Sequence, residues 1–344
     1  MKKHDLNFRK NILLADLTSL RVGGKAHFFV EVKNERQLLE AVGFSRKNDL
    51  PIFVLGGGSD ILVSDRGIPG LVIRYKGDEI KFKKRGDYAL ITTGAGVVWD
   101  RLVEIAVDKG LQGIECMSGI PGTVGASPIQ NIGAYGQELK DVFYELRAYD
   151  KVKNDFVKFN KKACRFAYRE SIFKKPKYRE RYVITNVTLK LQKTPPNIIY
   201  ESLKYYLYKN EIKNPKLIDI RKAVLALRSQ RLDDPHKIAN AGSFFKNPFI
   251  DSELFEKLKK NYPDIPFHKV KSQYKLFAGW LIEKAGWKGK IYKNAKVSDK
   301  NALVITNPQN RATSKEIQEL ANKISNDVYK KFKVRIEPEV QFIE

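Results

Sequence analysis

The sequence predicts an α+β protein, and three features of the 344-residue chain carry that expectation. Strand and helix signals alternate through the first half, and a group of strand patterns that suit antiparallel pairing follows between Val142 and Leu191. The break Thr194-Pro195-Pro196-Asn197 then opens a second run of mixed helices and strands. The length suffices for two or three domains with a large buried core.

Taken in order, Asn34 followed by Gln37 resembles a capping box opening a helix through Leu38, Leu39 and Val42. Ile52-Phe53-Val54-Leu55 is a short buried-strand run that ends in Gly56-Gly57-Gly58-Ser59-Asp60, and Ile61-Leu62-Val63 resumes the apolar pattern. A phosphate-sized turn is therefore expected between two strands. Trp99, Leu102, Val103, Ala106 and Val107 mark a second amphipathic helix that Gly110 is placed to stop. From Leu111 to Glu138 the composition shifts to glycine, proline and small polar residues, which excludes a regular helix and predicts backbone close to a ligand, with N–H groups free for phosphate or carbonyl oxygens. Strands are expected at Val142 to Tyr149 and Phe156 to Phe159, and along Val183, Thr185, Val187, Leu189 and Leu191. Beyond the proline break come helices at Ile218 to Arg228 and Ser252 to Lys259, and a third opened by Thr313 with Glu316 and carrying Ile317, Leu320, Ala321, Ile324 and Val328. There is no internal repeat and no low-complexity tail.

Hydrophobic residues at 42% and aromatics at 11% exclude disorder for most of the length. No apolar run approaches bilayer-spanning length, so no membrane insertion is expected. Met1-Lys2-Lys3-His4-Asp5 is not followed by an apolar signal segment, which predicts a cytoplasmic protein. Cys116 and Cys164 have no metal-ligand spacing and read as reduced thiols; His4, His27, His236 and His268 form no metal pattern, and no metal is assigned. The net charge of +25 attracts nucleic acid as readily as nucleotide phosphates. Lysine is spread over nearly every segment alongside abundant Asn, Ile and Tyr, the pattern of compositional bias, and there is no zinc finger, RNP motif or basic tail; no nucleic-acid partner is expected.

The most informative run is Asn240-Ala241-Gly242-Ser243-Phe244-Phe245-Lys246-Asn247-Pro248. A lone serine amid glycine, amides and lysine suggests a hydroxyl that donates a proton, with no histidine beside it to make a nucleophile; a glycine turn with two core phenylalanines is the plain alternative. The glycine turns lack GK[ST] and do not fit GxGxxG at a strand-to-helix junction, which argues against a P-loop or Rossmann site and for a different dinucleotide cradle. Gly56-Gly57-Gly58-Ser59, Gly119-Ile120-Pro121-Gly122, Pro128 to Gly136, Tyr168-Arg169-Glu170-Ser171-Ile172-Phe173, Gly242 to Pro248 and Glu337-Pro338-Glu339-Val340, in this order, resemble the UDP-N-acetylenolpyruvoylglucosamine reductase (UDP-N-acetylmuramate dehydrogenase) family.

The resemblance implies a flavoenzyme of peptidoglycan precursor synthesis. It would use noncovalent FAD and NADPH to reduce the enolpyruvyl ether of UDP-N-acetylglucosamine to the lactyl ether of UDP-N-acetylmuramate. It implies a vanillyl-alcohol-oxidase/PCMH-type FAD-binding region over 18–193 and a loop and linker over 194–217. A smaller α+β substrate-binding domain over 218–331 and a C-terminal strand region over 332–344 complete the expected organisation. It implies that Ser243 gives the proton while Arg169 and Glu339 polarise the substrate around a developing enolate, Glu339 being kept protonated by its surroundings. Alone, Arg169 reads as a surface cation and Glu339 as a strand end; the company of Ser243 favours the catalytic reading.

The implied cofactor contacts are Leu55, Gly56, Gly57, Gly58, Ser59, Asp60, Gly119, Ile120, Pro121, Gly122, Gly125, Ala126, Gln130, Asn131, Gly133, Ala134, Tyr135, Gly136 and Arg228. The implied substrate contacts are Tyr168, Tyr200, Arg231, Asn247, Lys275 and Asn301, with Tyr200 matching the loop tyrosine that closes over the nucleotide in the enterobacterial form. Asp60, Arg231, Asp233 and Gln341 depart from the family's usual Asn, Lys, Pro and Arg. A monomer is expected. Two other readings compete: another FAD-dependent oxidoreductase of the same fold, whose common covalent flavin histidine is not evident near the glycine turns, and a basic nucleic-acid-binding protein without catalysis.

Overall fold

The computed structural model describes residues 6–344; the expectations for Met1 to Asp5, His4 included, lie outside the described residues. The chain forms two compact units, each built from three stretches: residues up to Ile12 with Ala26–Gly57 and Ile68–Ser229, and Leu13–Lys25 with Gly58–Gly67 and Gln230–Glu344.

In the first unit a four-stranded sheet runs Arg9–Leu13, Lys25–Val32, Ile68–Tyr75, Ile52–Leu55, and the last three strands are parallel, with Phe29 opposite Val72 and Val54 opposite Ile73. Helix Glu35–Lys47 supplies the crossover that parallel strands require. Its start is the predicted one, with a variation: Asn34 accepts the Gln37 N–H at 3.0 Å, but the Gln37 side chain returns to the N–H of Lys33 at 2.8 Å. The predicted antiparallel strands form a five-stranded sheet, Asp155–Asn160, Phe143–Asp150, Tyr182–Gln192, Tyr88–Gly94, Ile80–Arg85. Alternation places Val183, Val187, Leu189 and Leu191 in the core with Trp99, Leu102 and Tyr149. Helix Trp99–Asp108 buries the five predicted apolar residues and ends at Gly110, whose φ of +65° suits glycine.

In the second unit the sheet Ala239–Ser243, Val304–Asn307, Ala295–Val297, Ile291–Tyr292 and the smaller sheet Phe249–Ile250, Gln273–Leu276, Phe267–Val270 share a core with helices Ser252–Asn261, Ala278–Lys284 and Ser314–Phe332. Thr313 and Glu316 form the expected capping box, and Asp65 adds a second cap by accepting the N–H groups of Ser314 at 2.7 Å and Lys315 at 3.1 Å. Ile61–Val63 pairs in parallel with Gln341–Ile343.

One expectation is corrected. Residues 194–217 are not all loop: Glu201–Lys209 is a helix whose Leu203 and Leu207 pack with Cys116, Ile220 and Val224. That burial keeps helix Leu217–Arg231, through Ser229, in the first unit rather than in a substrate domain starting at 218. The turn 56–60 lies between two strands as expected, Ile52–Leu55 pairing with Ile68–Tyr75 and Ile61–Val63 with Gln341–Ile343.

No helix among the described residues is long and apolar enough to cross a membrane, and among them no cluster of His, Cys, Asp or Glu is placed to hold a metal. Cys116 and Cys164 are buried; burial pushes both thiols up to about 12, with Glu115 adding to the effect on Cys116.

Candidate cofactor cradle and catalytic residues

Strand Ile52–Leu55 delivers its last residue, buried Leu55, to the turn Gly56-Gly57. A Cβ on Gly57 would lie 2.6 Å from Cα of Gly122, and one on Gly56 3.1 Å from Cβ of Ala126. The two glycine segments therefore touch backbone to backbone, and any side chain would separate them. Gly119 and Gly122 have φ of +71° and +117°, and Ile120-Pro121 completes this turn.

Several N–H groups of the segment expected to offer them are used within the protein. Gly119 donates to Asp100 at 2.6 Å, Val124 to the carbonyl of Val97 at 2.8 Å, Gly125 to that of Ala95 at 2.9 Å and Ala126 to that of Thr123 at 3.0 Å. Such short internal bonds fix the turn. Among the described residues, the N–H groups of Gly56, Gly57 and Gly122 meet no backbone carbonyl.

Two polar groups bear on what this turn could hold. The Gln130 Oε1 is buried without a hydrogen-bond partner. Arg228, on helix Leu217–Arg231, brings its Nε to 3.2 Å from where a Gly119 Cβ would stand, and among the described residues no carboxylate pairs with it. Burial lowers its pKa, against the pull of Tyr135 and Asp100. A buried guanidinium without an ion pair is costly unless an anion joins it. Glycine turns in contact, an acceptor without a donor and a cation without an anion fit a dinucleotide diphosphate with an N–H-bearing ring, as in FAD.

Gly133 and Ala134 pair with Glu138 and Gln137 around Tyr135-Gly136, both with positive φ, a tight hairpin of the primed type. The Tyr135 ring meets Tyr200 edge-on at 5.4 Å, and a Cβ on Gly136 would come 2.7 Å from Ile199. Tyr200 ends the loop that follows strand Tyr182–Gln192 and is the N-cap residue of helix Glu201–Lys209. Asn131 is wholly buried, with both amide hydrogens and its oxygen engaged by the protein. Arg169, at φ +51°, donates to the Gly133 carbonyl at 2.5 Å, with its guanidinium 5.2 Å from the Tyr168 ring. Left-handed backbone at Asn131, Tyr135 and Arg169 is the strain that functional sites concentrate.

In the second unit, Gly58 has φ of +66° and a Cβ there would strike the Leu17 carbonyl at 2.1 Å, so this glycine is required by the fold. Ser59 follows it, and the Asp60 carbonyl accepts the Gln341 N–H at 3.1 Å. Ser243 ends strand Ala239–Ser243, opposite Val304. Phe244 and Phe245, 0% and 1% exposed, anchor the run in the core and leave Ser243 half-buried. The Glu339 N–H donates to the Phe244 carbonyl at 2.8 Å and the Lys246 N–H to the Glu337 carbonyl at 2.9 Å. Ser243 and Glu339, separated by nearly a hundred positions, thus lie on paired backbones.

The remaining predicted substrate contacts are mixed. Lys275, on Gln273–Leu276, is opposite Phe249. The Asn247 Oδ1 accepts the Ala278 N–H at 2.9 Å and the Asn301 Oδ1 that of Leu303 at 3.0 Å, which leaves their amide NH2 groups for any ligand. Arg231 is exposed. Asp233, where the family pattern has proline, is buried and accepts the Ser298 hydroxyl, a contact proline could not make.

Sequence reasoning missed Asp100 and Glu115. Asp100 joins Gly119 to Arg221; Glu115, wholly buried, accepts the Gly113 N–H at 2.6 Å and a Gln137 amide hydrogen at 2.8 Å. An acid in the first turn after Val98 and one inside an apolar run, Ile114-Glu115-Cys116-Met117, were the available signals.

Fold and cradle together define a flavin-dependent oxidoreductase with a vanillyl-alcohol-oxidase-type FAD-binding domain: the FAD binding domain family matches residues 26–153. The match at residues 234–343 is to the C-terminal domain of UDP-N-acetylenolpyruvoylglucosamine reductase. The chain belongs to the UDP-N-acetylenolpyruvoylglucosamine reductase family. It is 36% identical to the Pseudomonas aeruginosa reductase over 97% of this chain and 98% of that one. To the Amoebophilus asiaticus reductase it is 40% identical over 98% of this chain and 100% of the other. The crystal structure of the Thermus caldophilus reductase superposes with a TM-score of 0.70 at 26% identity, covering 98% of this chain and 100% of that one.

Proposed function

We propose that this chain reduces UDP-N-acetylglucosamine enolpyruvate to UDP-N-acetylmuramate with NADPH, in peptidoglycan precursor synthesis, as a cytosolic monomer. The observation that carries the reading is the pairing of the Ser243 and Glu339 segments through the Phe244 carbonyl, within a chain that matches reductases of this name over nearly its full length.

Gly56, Gly57, Gly119 to Gly122 and Arg228 would hold FAD, with Gln130 accepting from a ring N–H. Bound FAD would supply the hydride chemistry, with NADPH as the reductant and the terminal carbon of the enol ether as the acceptor. Negative charge then gathers on the neighbouring carbon and its carboxylate. Arg169 stabilises that charge as a fixed cation, and Glu339 polarises the same group by hydrogen bonding. Ser243 hands its hydroxyl proton to the carbon next to the carboxylate, which completes the lactyl ether. Gly58, Ser59, Asp60, Gly133, Ala134, Tyr135 and Gly136 complete the cofactor surroundings in this reading, and Tyr168, Tyr200, Arg231, Asn247, Lys275 and Asn301 those of the substrate.

The test is a visible spectrum of the purified protein, followed anaerobically by NADPH and then by UDP-N-acetylglucosamine enolpyruvate. A yellow protein bleached by NADPH and recoloured by that substrate is expected. A protein that takes up no FAD, or one bleached by NADPH but not reoxidised by the enolpyruvate, overturns the reading.

A further inference from the structure

The turn that presents Arg169 is imposed from outside. Ala167 and Glu170 exchange backbone hydrogen bonds at 3.0 and 3.2 Å, with Arg169 between them at φ +51°. That left-handed conformation is unfavourable for a residue with a side chain and is held only by its surroundings. Asn131 meets this turn from the hairpin side. One of its amide hydrogens goes to the Ala167 carbonyl at 3.0 Å, the other to the Glu138 carboxylate at 3.1 Å, and its oxygen accepts the Lys140 N–H at 2.9 Å. Two acceptors and one donor leave a single orientation for the amide. Glu138 is in turn ion-paired with Lys140. Arg169 closes the circuit by donating to Gly133, in the hairpin that Asn131 precedes.

We propose that Asn131, with Glu138 as its carboxylate partner, is the positioning residue for Arg169: one buried amide joins the Gly133–Glu138 hairpin to the 167–170 turn and fixes where the guanidinium stands. This rests on the reading of Arg169 as the cation that stabilises the enolate. Asn131, its side chain fully engaged by the protein, acts through Arg169. The chemistry favours an amide over its charged isostere, because a carboxylate at 131 would turn an oxygen toward two acceptors. Displacing a charge-stabilising group by about 1 Å costs about a hundredfold in rate.

The experiment compares Asn131→Asp, Arg169→Lys and the double variant in the full-length flavoprotein, following flavin reduction by NADPH and reoxidation by UDP-N-acetylglucosamine enolpyruvate separately. Expected for Asn131→Asp are an unchanged flavin spectrum, reduction within about twofold of the parent and reoxidation slowed about a hundredfold. In the Arg169→Lys background the same change should add little, since coupled residues fail to add. Unchanged reoxidation overturns the inference, as does a folded variant that loses its flavin or loses both half-reactions alike. If Arg169→Lys itself leaves reoxidation intact, the reading of Arg169 falls and the inference with it. If only Asn131→Asp is silent, the inference alone falls. Should Asn131→Asp not fold, Glu138→Ala, which removes one of the two acceptors, decides: reoxidation slowed about tenfold with normal reduction supports the inference, and unchanged reoxidation overturns it.

Discussion

The Asp100 carboxylate accepts the backbone N–H of Gly119 at 2.6 Å, and the same carboxylate holds the Arg221 guanidinium with bonds of 2.6 and 2.8 Å. A residue on helix Trp99–Asp108 thus ties the glycine turn to helix Leu217–Arg231, which also carries Arg228. Burial alone would raise the Asp100 pKa; the Arg221 and Gly119 hydrogen bonds, with the charges of Arg221 and Arg228, outweigh it and hold it below 3.8.

Asp100→Asn should loosen the turn, costing about 2 kcal/mol of stability and weakening FAD binding about tenfold, by thermal melting and flavin titration. The folded pKa lies below the unfolded one. The carboxylate's contribution is therefore complete above the unfolded pKa, near pH 4, and is lost as pH falls through the folded value. The parent and the variant should differ in melting temperature at neutral pH and converge as the pH falls below the unfolded value; a gap that stays constant to low pH would refute this assignment.

Gly57→Ala places a methyl 2.6 Å from the Cα of Gly122, against backbone that cannot swing aside. A cost of about 1 to 3 kcal/mol is expected, seen chiefly as weakened FAD binding. Equal flavin affinity in the variant would mean that the two turns do not form one cradle.

Arg228→Met should affect apo and loaded protein in opposite directions. Removing a buried cation without an ion pair leaves the apoprotein as stable or slightly more so, while flavin affinity falls about tenfold or more. Loss of apoprotein stability would show instead that Arg228 is held for the fold.

Ser243→Ala should leave flavin reduction by NADPH within about twofold and slow reoxidation by substrate at least a hundredfold, the range for losing a general acid. Glu339→Gln should impair the same half-reaction. Parallel loss of both half-reactions would move Ser243 from proton donor to a part of the fold.

Asp65→Ala removes a second cap from helix Ser314–Phe332. A destabilisation of about 1 kcal/mol is expected, with no change in flavin affinity. Calorimetry of the variant beside Thr313→Ala would show whether the two caps contribute alike.

What could be read in the sequence was local. The Thr313 and Glu316 pair, the period-two pattern around Val187 and the stop at Gly110 each depend on neighbours within a few positions, and the structure repeats them. The Gly56 turn announced itself because only glycine allows backbone to approach backbone. Asn131 gave no sign of one of its partners, the Ala167 carbonyl, which lies 36 positions on. Asp100 gave no sign, because its partner Arg221 is 121 positions away and a first-turn acid is ordinary on any helix. The strand Ile61–Val63 was legible, but its pairing with Gln341–Ile343 was not.

That last pairing bears on how the chain is made. On a ribosome, Ile61–Val63 emerges roughly 280 residues before the segment that will lie beside it, a wait of about 15 to 60 seconds at ordinary elongation rates. Throughout that interval its pairing edge is open and its side chains Leu62 and Val63, buried at the end, have no final home. The second unit therefore cannot be completed as it is synthesised. Its birth is the most vulnerable time in its life, and slowed translation or scarce chaperones should lower the yield of this protein more than that of one whose strands pair with sequence neighbours.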